Sequence, residues 1–503
     1  MGVVFRQSAK NSIVVATGAL LGLLVMWLST NYIPKQELGF INTLTNYAVT
    51  LAQILLLGLN STMAVYIHRY AEDLRKKKLL LTFCFGVPLV IALLSTVVYF
   101  LLKPWILHHF QPADVPLMSR YFMWIPIYTV LFIYMVLLEQ YLGSQLRVAV
   151  SAFMREVVLR VANIALILLF VFGYISFHIL VISTVLVYFL PLAIFYFLSL
   201  RTKAFGFSLK LADFSKREYK EMAHFSWYHF LMVVSVILLG SMDSMVIPLY
   251  DHKGFSSMAV YRVATLLISF LLVPMKAMLP ASFAVLAKAF ADNDIAKAKD
   301  IFSRATINVF IPMVAIVALI FCNLGNAVLI IGKGYAEVVP LFMILSMGNI
   351  VHTMFGMADQ VLSVTNYYKF SFYISMALMV VLFFLLRTFI PLYGVYGAAW
   401  CTSLSIVVFT IAKYVFVRKK LGMNALSSNT FLVLISGIAA MAAGYAFPHF
   451  LDQSRHVYVR TFADVAMRST VVAVVYVAML LWLKPSKDLQ EYLASIKRNK
   501  RLF

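Results

Sequence analysis

Residues 257–290, SMAVYRVATLLISFLLVPMKAMLPASFAVLAKAF, are apolar for long enough to cross a bilayer, yet they carry Arg262 and Lys276. The two cations stand fourteen residues apart, nearly four turns, so on one straight helix both leave almost the same face. A charge at the bilayer centre costs about 2.5–3.5 kcal/mol even on insertion scales. Two charges on one face are tolerable only where that face meets protein or a water-filled cavity. A cationic chamber inside a membrane suits an anionic cargo.

The rest of the chain agrees with a membrane setting. Of its 503 residues 63% are hydrophobic and 12% charged, against about 25% charged in soluble domains. Apolar runs give about fourteen candidate spans between 11 and 483, which predicts an all-α polytopic membrane protein. Among them are span 2 at 39–67, span 7 at 224–250, span 8 at 257–287, span 10 at 338–364, spans 11 and 12 at 370–390 and 394–417, and span 14 at 462–483. The net charge of +22 is sorted along the chain. With the N-terminus inside, only Lys35, Lys103, Lys253, Lys333, Arg387, Arg455 and Arg460 fall on the outer side. Arg120, Arg262, Lys276 and Arg468 fall within spans or at their edges. The remaining Lys and Arg, including the Arg75-Lys76-Lys77-Lys78 run and Lys413, fall on cytoplasmic loops, tails and span ends. By the positive-inside rule both termini are cytoplasmic. Topology accounts for the excess charge, and no nucleic-acid partner is needed. Cys84, Cys322 and Cys401 sit in apolar spans as buried hydrophobes, with no metal spacing.

The longest polar break, 201–223, follows six spans, and what comes after resembles what came before. A shift of 220 places Asn60-Ser61-Thr62-Met63-Ala64-Val65 on Pro280-Ala281-Ser282-Phe283-Ala284-Val285, and Asn42 on Arg262. The chain then divides into an N-lobe at 1–200 and a basic cytoplasmic linker at 201–223. A C-lobe follows at 224–417, then spans 13 and 14 within 418–483 and a basic tail at 484–503. Six spans per lobe preserve orientation, so the expected pseudo-two-fold axis runs along the membrane normal, with substrate held between the lobes. Span 2 carries Asn42, Asn46, Gln53 and Asn60 at spacings of 4, 7 and 7, one polar stripe on an apolar helix. The expected arrangement points this stripe and the span-8 cations at one cavity.

Other intramembrane charges have two readings each. Asp243 in span 7 carries a proton or cation during transport, or pairs with Arg262. His352 and Asp359 in span 10, seven apart on one face, form a proton relay or a packing pair. Asp464 and Arg468, at i and i+4, neutralise each other, as do Glu156 and Arg160. Pro274 and Pro280 flank Lys276 and predict a bend there. No GxxxxGK[ST] motif or catalytic constellation is present, which speaks against an enzyme or an ATP-driven pump. No cofactor or metal is called for beyond a coupled H+ or Na+.

Five segments carry a family resemblance. They are Arg6-Gln7-Ser8-Ala9-Lys10-Asn11-Ser12, Glu37-Leu38-Gly39-Phe40-Ile41, Gly240-Ser241-Met242-Asp243-Ser244-Met245, Ala259-Val260-Tyr261-Arg262-Val263-Ala264 and Gly394-Val395-Tyr396-Gly397-Ala398-Ala399. With the 6+6 repeat and short loops, they resemble the multidrug/oligosaccharidyl-lipid/polysaccharide (MOP) flippase superfamily, and within it the polysaccharide transporter branch of Wzx-type O-antigen flippases. The usual glycine before the span-8 tyrosine is Val260 here. The resemblance implies alternating access in a bacterial inner membrane, moving an undecaprenyl-pyrophosphate-linked oligosaccharide to the outer leaflet. The expected partners are that substrate, membrane lipids, and a polysaccharide polymerase and glycosyltransferases. Arg262 and Lys276 would hold the pyrophosphate and the span-2 stripe would line the sugar path. Asp243, Asp359 and His352 are the ion-coupling candidates. The competing expectations are a cation-coupled multidrug exporter and a peptidoglycan-precursor flippase.

Overall fold

The computed structural model describes residues 2–70, 72–145, 148–202, 204–208, 210, 214–447, 457–486, 488 and 490. Among these every regular element is helical. The chain forms two compact units, Met1–Ala259 and Val260–Phe503. The first contains α1 (Gly2–Tyr32), α2 (Lys35–Leu55), α3 (Leu59–Arg69), α4 (Leu74–Leu101), α5 (Lys103–His108), α6 (Val115–Arg120) and α7 (Trp124–Ser144). It continues with α8 (Val148–Phe153), α9 (Leu159–Val171), α10 (Phe177–Leu186), α11 (Phe189–Leu200), α12 (Lys216–Tyr250) and the start of α13 (Phe255–Leu271). The second contains α14 (Val273–Ala291), α15 (Ile295–Cys322), α16 (Leu324–Ile331), α17 (Val338–Met354), α18 (Ala358–Val364), α19 (Tyr368–Leu421), α20 (Ser428–Ala446) and α21 (Val457–Leu483). The unit boundary lies beyond the basic linker, because α12 packs on α2 and α3.

Eight of the described helices are long and apolar enough to cross a membrane, or eleven if each bent pair is one span. The count differs from fourteen for local reasons. Spans 11 and 12 run together in α19 across Gly394, whose φ of 58° and ψ of −143° are not helical. Residues 154–171 change from a π turn at Met154–Val158 to α9. Spans 2, 8 and 10 are each broken: α2–α3 bends by 46°, α13–α14 by 45° and α17–α18 by 49°. The first break needs Gly58 at φ 73°, a conformation that costs glycine little. Broken backbone is tolerated at membrane depth when other groups satisfy it. Here the Ser226 hydroxyl of α12 donates to the Leu57 carbonyl at 2.7 Å.

Two helix starts on the basic side of the first unit follow capping chemistry. Asp73 accepts from the backbone N–H groups of Arg75 and Lys76, at 3.0 and 3.1 Å, and so starts α4 at the basic run. Ser215 and Glu218 form a capping box that starts α12. The Lys76 ammonium, 2.7 Å from Glu218, ties the two helix starts together. That hydrogen bond, with the one from the Ser215 backbone, holds the Glu218 carboxyl down at about 2. A carboxylate held below its unfolded value of about 4.3 stabilises the fold above that pH and loses its contribution as protons bind. The pair is partly exposed, so its worth is about 1 kcal/mol or less. The melting-temperature gap between wild type and Glu218→Gln should therefore be constant above about pH 5 and close toward pH 2. Melts in detergent across that range check it; a gap that persists at pH 2 would count against the Lys76 pairing.

Candidate functional site

In the first unit Asn42, Asn46 and Gln53 lie on α2 and Asn60 on α3, all half-buried. Phe40, Leu44 and Ala48 form the buried face of α2. A helix turns 100° per residue, so the polar stripe occupies the opposite side. The structure thus keeps the stripe but puts the Leu57–Gly58 break between Gln53 and Asn60. Asn46 Oδ1 is enclosed with no hydrogen-bond partner among the described residues. A buried acceptor in that state seeks a donor. The neighbouring Tyr47 hydroxyl donates to the Met245 carbonyl at 2.8 Å, tying α2 to α12 two residues from Asp243. Asp243 is only 6% exposed, and its Oδ1 accepts from the Ser244 backbone N–H at 2.6 Å.

In the second unit Arg262 and Lys276 are both exposed. They do not sit on one straight helix. The stretch that reads as continuous breaks at Leu272, and Pro274 falls in the first turn of α14, where its missing N–H costs nothing. The sequence placed the bend at Lys276, between Pro274 and Pro280, whereas the break lies four residues earlier and ends the common face at Leu272. Lys276 makes no ion pair with any described residue.

The sequence reading missed a third group. Lys413, placed at a cytoplasmic span end by charge counting, is 3% exposed and ion-paired with Asp359. Its ammonium also lies 3.5 Å from the centroid of the Phe409 ring, a favourable place for a desolvated cation. One turn away, His352 Nδ1 is 2.9 Å from the Thr410 hydroxyl. His352 and Asp359 do not share a helical face, because α17 ends at Met354 and Gly356 takes φ 80° before α18 begins. Both are half-buried and both address α19. The available signal was the Phe409, Thr410 and Lys413 spacing, which puts three such side chains on one face of span 12.

Two further charged pairs are bonded closely to their neighbours. Arg468, 0% exposed, donates through Nε to Asp464 at 2.9 Å and through its other nitrogens to the Gly444 and Phe447 carbonyls at 2.9 and 2.8 Å. Asn326 donates to the same Asp464 oxygen at 2.6 Å. Arg160 pairs with Glu156 at 2.7 Å and also reaches the Gly18 carbonyl of α1.

No protein-family model and no curated protein sequence matches this chain. Solved structures do match. The lipid II flippase MurJ in an inward closed conformation superposes with a TM-score of 0.73 at 14% identity, covering 94% of this chain and 98% of its own. An inward-facing multidrug resistance MATE family transporter of the MOP superfamily gives 0.62 at 14% identity, over 80% and 94%. A MOP-superfamily transporter from Pyrococcus furiosus, described by the reverse polarity of its binding pocket, gives 0.53 at 14%, over 83% and 95%. The fold of this chain is the one shared by these solved structures.

Proposed function

We propose that the chain is a flippase for an undecaprenyl-pyrophosphate-linked oligosaccharide, such as an O-antigen repeat unit, working by alternating access in a bacterial inner membrane. The observation that carries this reading is the exposure of Arg262 and Lys276 on the two halves of a broken apolar span. A cation exposed at membrane depth is stabilised by water, protein groups or an anionic ligand beside it, and its exposure leaves room for the last. A pyrophosphate matches a guanidinium and an ammonium. The half-buried stripe from Asn42 to Asn60, with its unsatisfied Asn46 oxygen, suits sugar hydroxyls. The inside-negative potential assists the outward step by about 2.3 kcal/mol per negative charge per 100 mV. In this reading Asp243, Asp359 and His352 are the groups that handle any coupled H+ or Na+, and polymerase and glycosyltransferases act before and after the transfer.

The test is surface glycan display in a deletion strain carrying Arg262→Glu and Lys276→Glu. Each lost phosphate contact removes about 1.5–3 kcal/mol, so display should fall at least about tenfold per substitution, with lipid-linked oligosaccharide accumulating in the inner leaflet. Full display by the charge-reversed protein at normal membrane levels would end the proposal. A second reading, a peptidoglycan-precursor flippase, is favoured by the near-complete coverage of the lipid II flippase fold. Rescue of cells depleted of their own peptidoglycan-precursor flippase, with no effect on glycan display, would select it.

A further inference from the structure

A groove of about 370 Å³ runs along the first unit where α4 meets the start of α12. Its walls are apolar, with Leu79, Phe83, Gly86, Val87 and Val90 on one face of α4 and Tyr219 opposite. The ring centroids of Phe83 and Tyr219 are 6.2 Å apart. The Ser208 backbone N–H donates to the Thr82 hydroxyl at 2.9 Å, so the linker borders the groove as well. Volumes of roughly 300–1,000 Å³ are usual for small-molecule sites. From Leu79 to Val90 the groove extends about 16 Å along the helix.

Two features distinguish it from plain lipid-facing surface. Gly86 sits mid-helix, where glycine is worth about 1 kcal/mol less than alanine, yet a Cβ built there meets nothing within 4 Å. Among the described residues no side chain fills the notch, which leaves it open to a ligand. Second, each wall has a cation one turn before its first lining residue. Arg75 precedes Leu79 by four and Lys216 precedes Tyr219 by three, so both cations lie on the groove side. Both are exposed, and neither makes an ion pair among the described residues. The Lys76–Glu218 bridge sets the two helix starts side by side, so both cations stand at the same end of the groove.

We propose that this groove is a binding site for an anionic phospholipid of the surrounding membrane. One acyl chain lies along Leu79 to Val90, filling the notch at Gly86, and the phosphate sits between Arg75 and Lys216. Apolar walls ending in two cations are complementary to this one arrangement of tail and headgroup. Two cations near a headgroup favour an anionic over a zwitterionic lipid by about tenfold or more. The site is independent of the glycan reading.

The experiment counts lipids retained by the purified full-length protein, using native mass spectrometry after exchange into phosphatidylglycerol or phosphatidylcholine of identical chains. Wild type should hold one phosphatidylglycerol with about tenfold preference. Gly86→Phe should lose that lipid while keeping the wild-type melting temperature. If Gly86→Phe does not fold, Val90→Trp, at a position already 56% exposed, takes its place. Arg75→Gln with Lys216→Gln should keep a lipid but lose the preference. Equal retention of both lipids by wild type, unchanged retention by the groove-filling variant, or displacement by a polyisoprenyl phosphate added in equimolar amount would overturn the proposal.

Discussion

Gly39→Ala is expected to remove the folded protein from the membrane. A Cβ at this position of α2 would lie 1.6 Å from the Phe255 carbonyl oxygen and 2.4 Å from its carbon. Both are backbone atoms and cannot rotate away. Phe255 itself is fixed on several sides. Its N–H donates to the buried Asp114 carboxylate at 2.8 Å, and Gln36 holds the same carboxylate at 2.8 Å. Its ring is enclosed, 5.3 Å from Phe40 and 5.7 Å from Phe110. Relief therefore requires separating α2 from the start of α13, at a cost of about 3 kcal/mol or more. Membrane abundance and melting temperature in detergent are the readouts. Gly86→Ala supplies the control, since its Cβ meets nothing and helix propensity alone should raise stability by about 1 kcal/mol. A Gly39→Ala protein that melts like wild type would refute the close approach.

Arg468→Met should be nearly as damaging. The side chain is fully enclosed, and its removal leaves Asp464, 1% exposed, as a buried carboxylate. It also strips the donors from the Gly444 and Phe447 carbonyls at the end of α20. Breaking a buried pair from one side costs about 3–5 kcal/mol, whereas replacing both partners by groups of similar shape is often close to neutral. The double variant Asp464→Leu with Arg468→Met should therefore recover most of the lost melting temperature, although Asn326 then loses its acceptor. Equal losses in the single and double variants would show that shape, rather than charge, sets the effect.

Much of this was legible in the sequence. Apolar runs gave the helical membrane fold, because hydropathy responds to composition over a whole span. The Asn42 to Asn60 stripe and the Asp464–Arg468 pair followed from helical spacing alone. The breaks were only partly legible. Pro274 announced one, but Gly58 and Gly356 are single residues in apolar surroundings, where glycine serves equally for close packing, as at Gly39. Lys413 went unread as a buried group for a different reason. Charge counting assigns a cation near a span end to the water, and only the chain folding Asp359 back from α18 shows its partner. The unit boundary at Ala259 was hidden because it depends on which helices α12 packs against, which no charge run records.

The three broken spans carry the stripe, the Arg262 and Lys276 pair, and the His352 and Asp359 pair, and in each the polar groups lie on both sides of the break. Each half-helix is thus a lever with its fulcrum at one or two residues. With the far end of α2 seated on the Phe255 backbone at Gly39, the moving arm is α3: its 11 residues make about 16 Å, so a 5° swing at Leu57–Gly58 carries its far end through about 1.4 Å. Such a swing has only to flex the two short i→i−3 bonds at the break, Leu57 N–H to Ile54 and Leu59 N–H to Leu56, and leaves the regular turns of both halves intact.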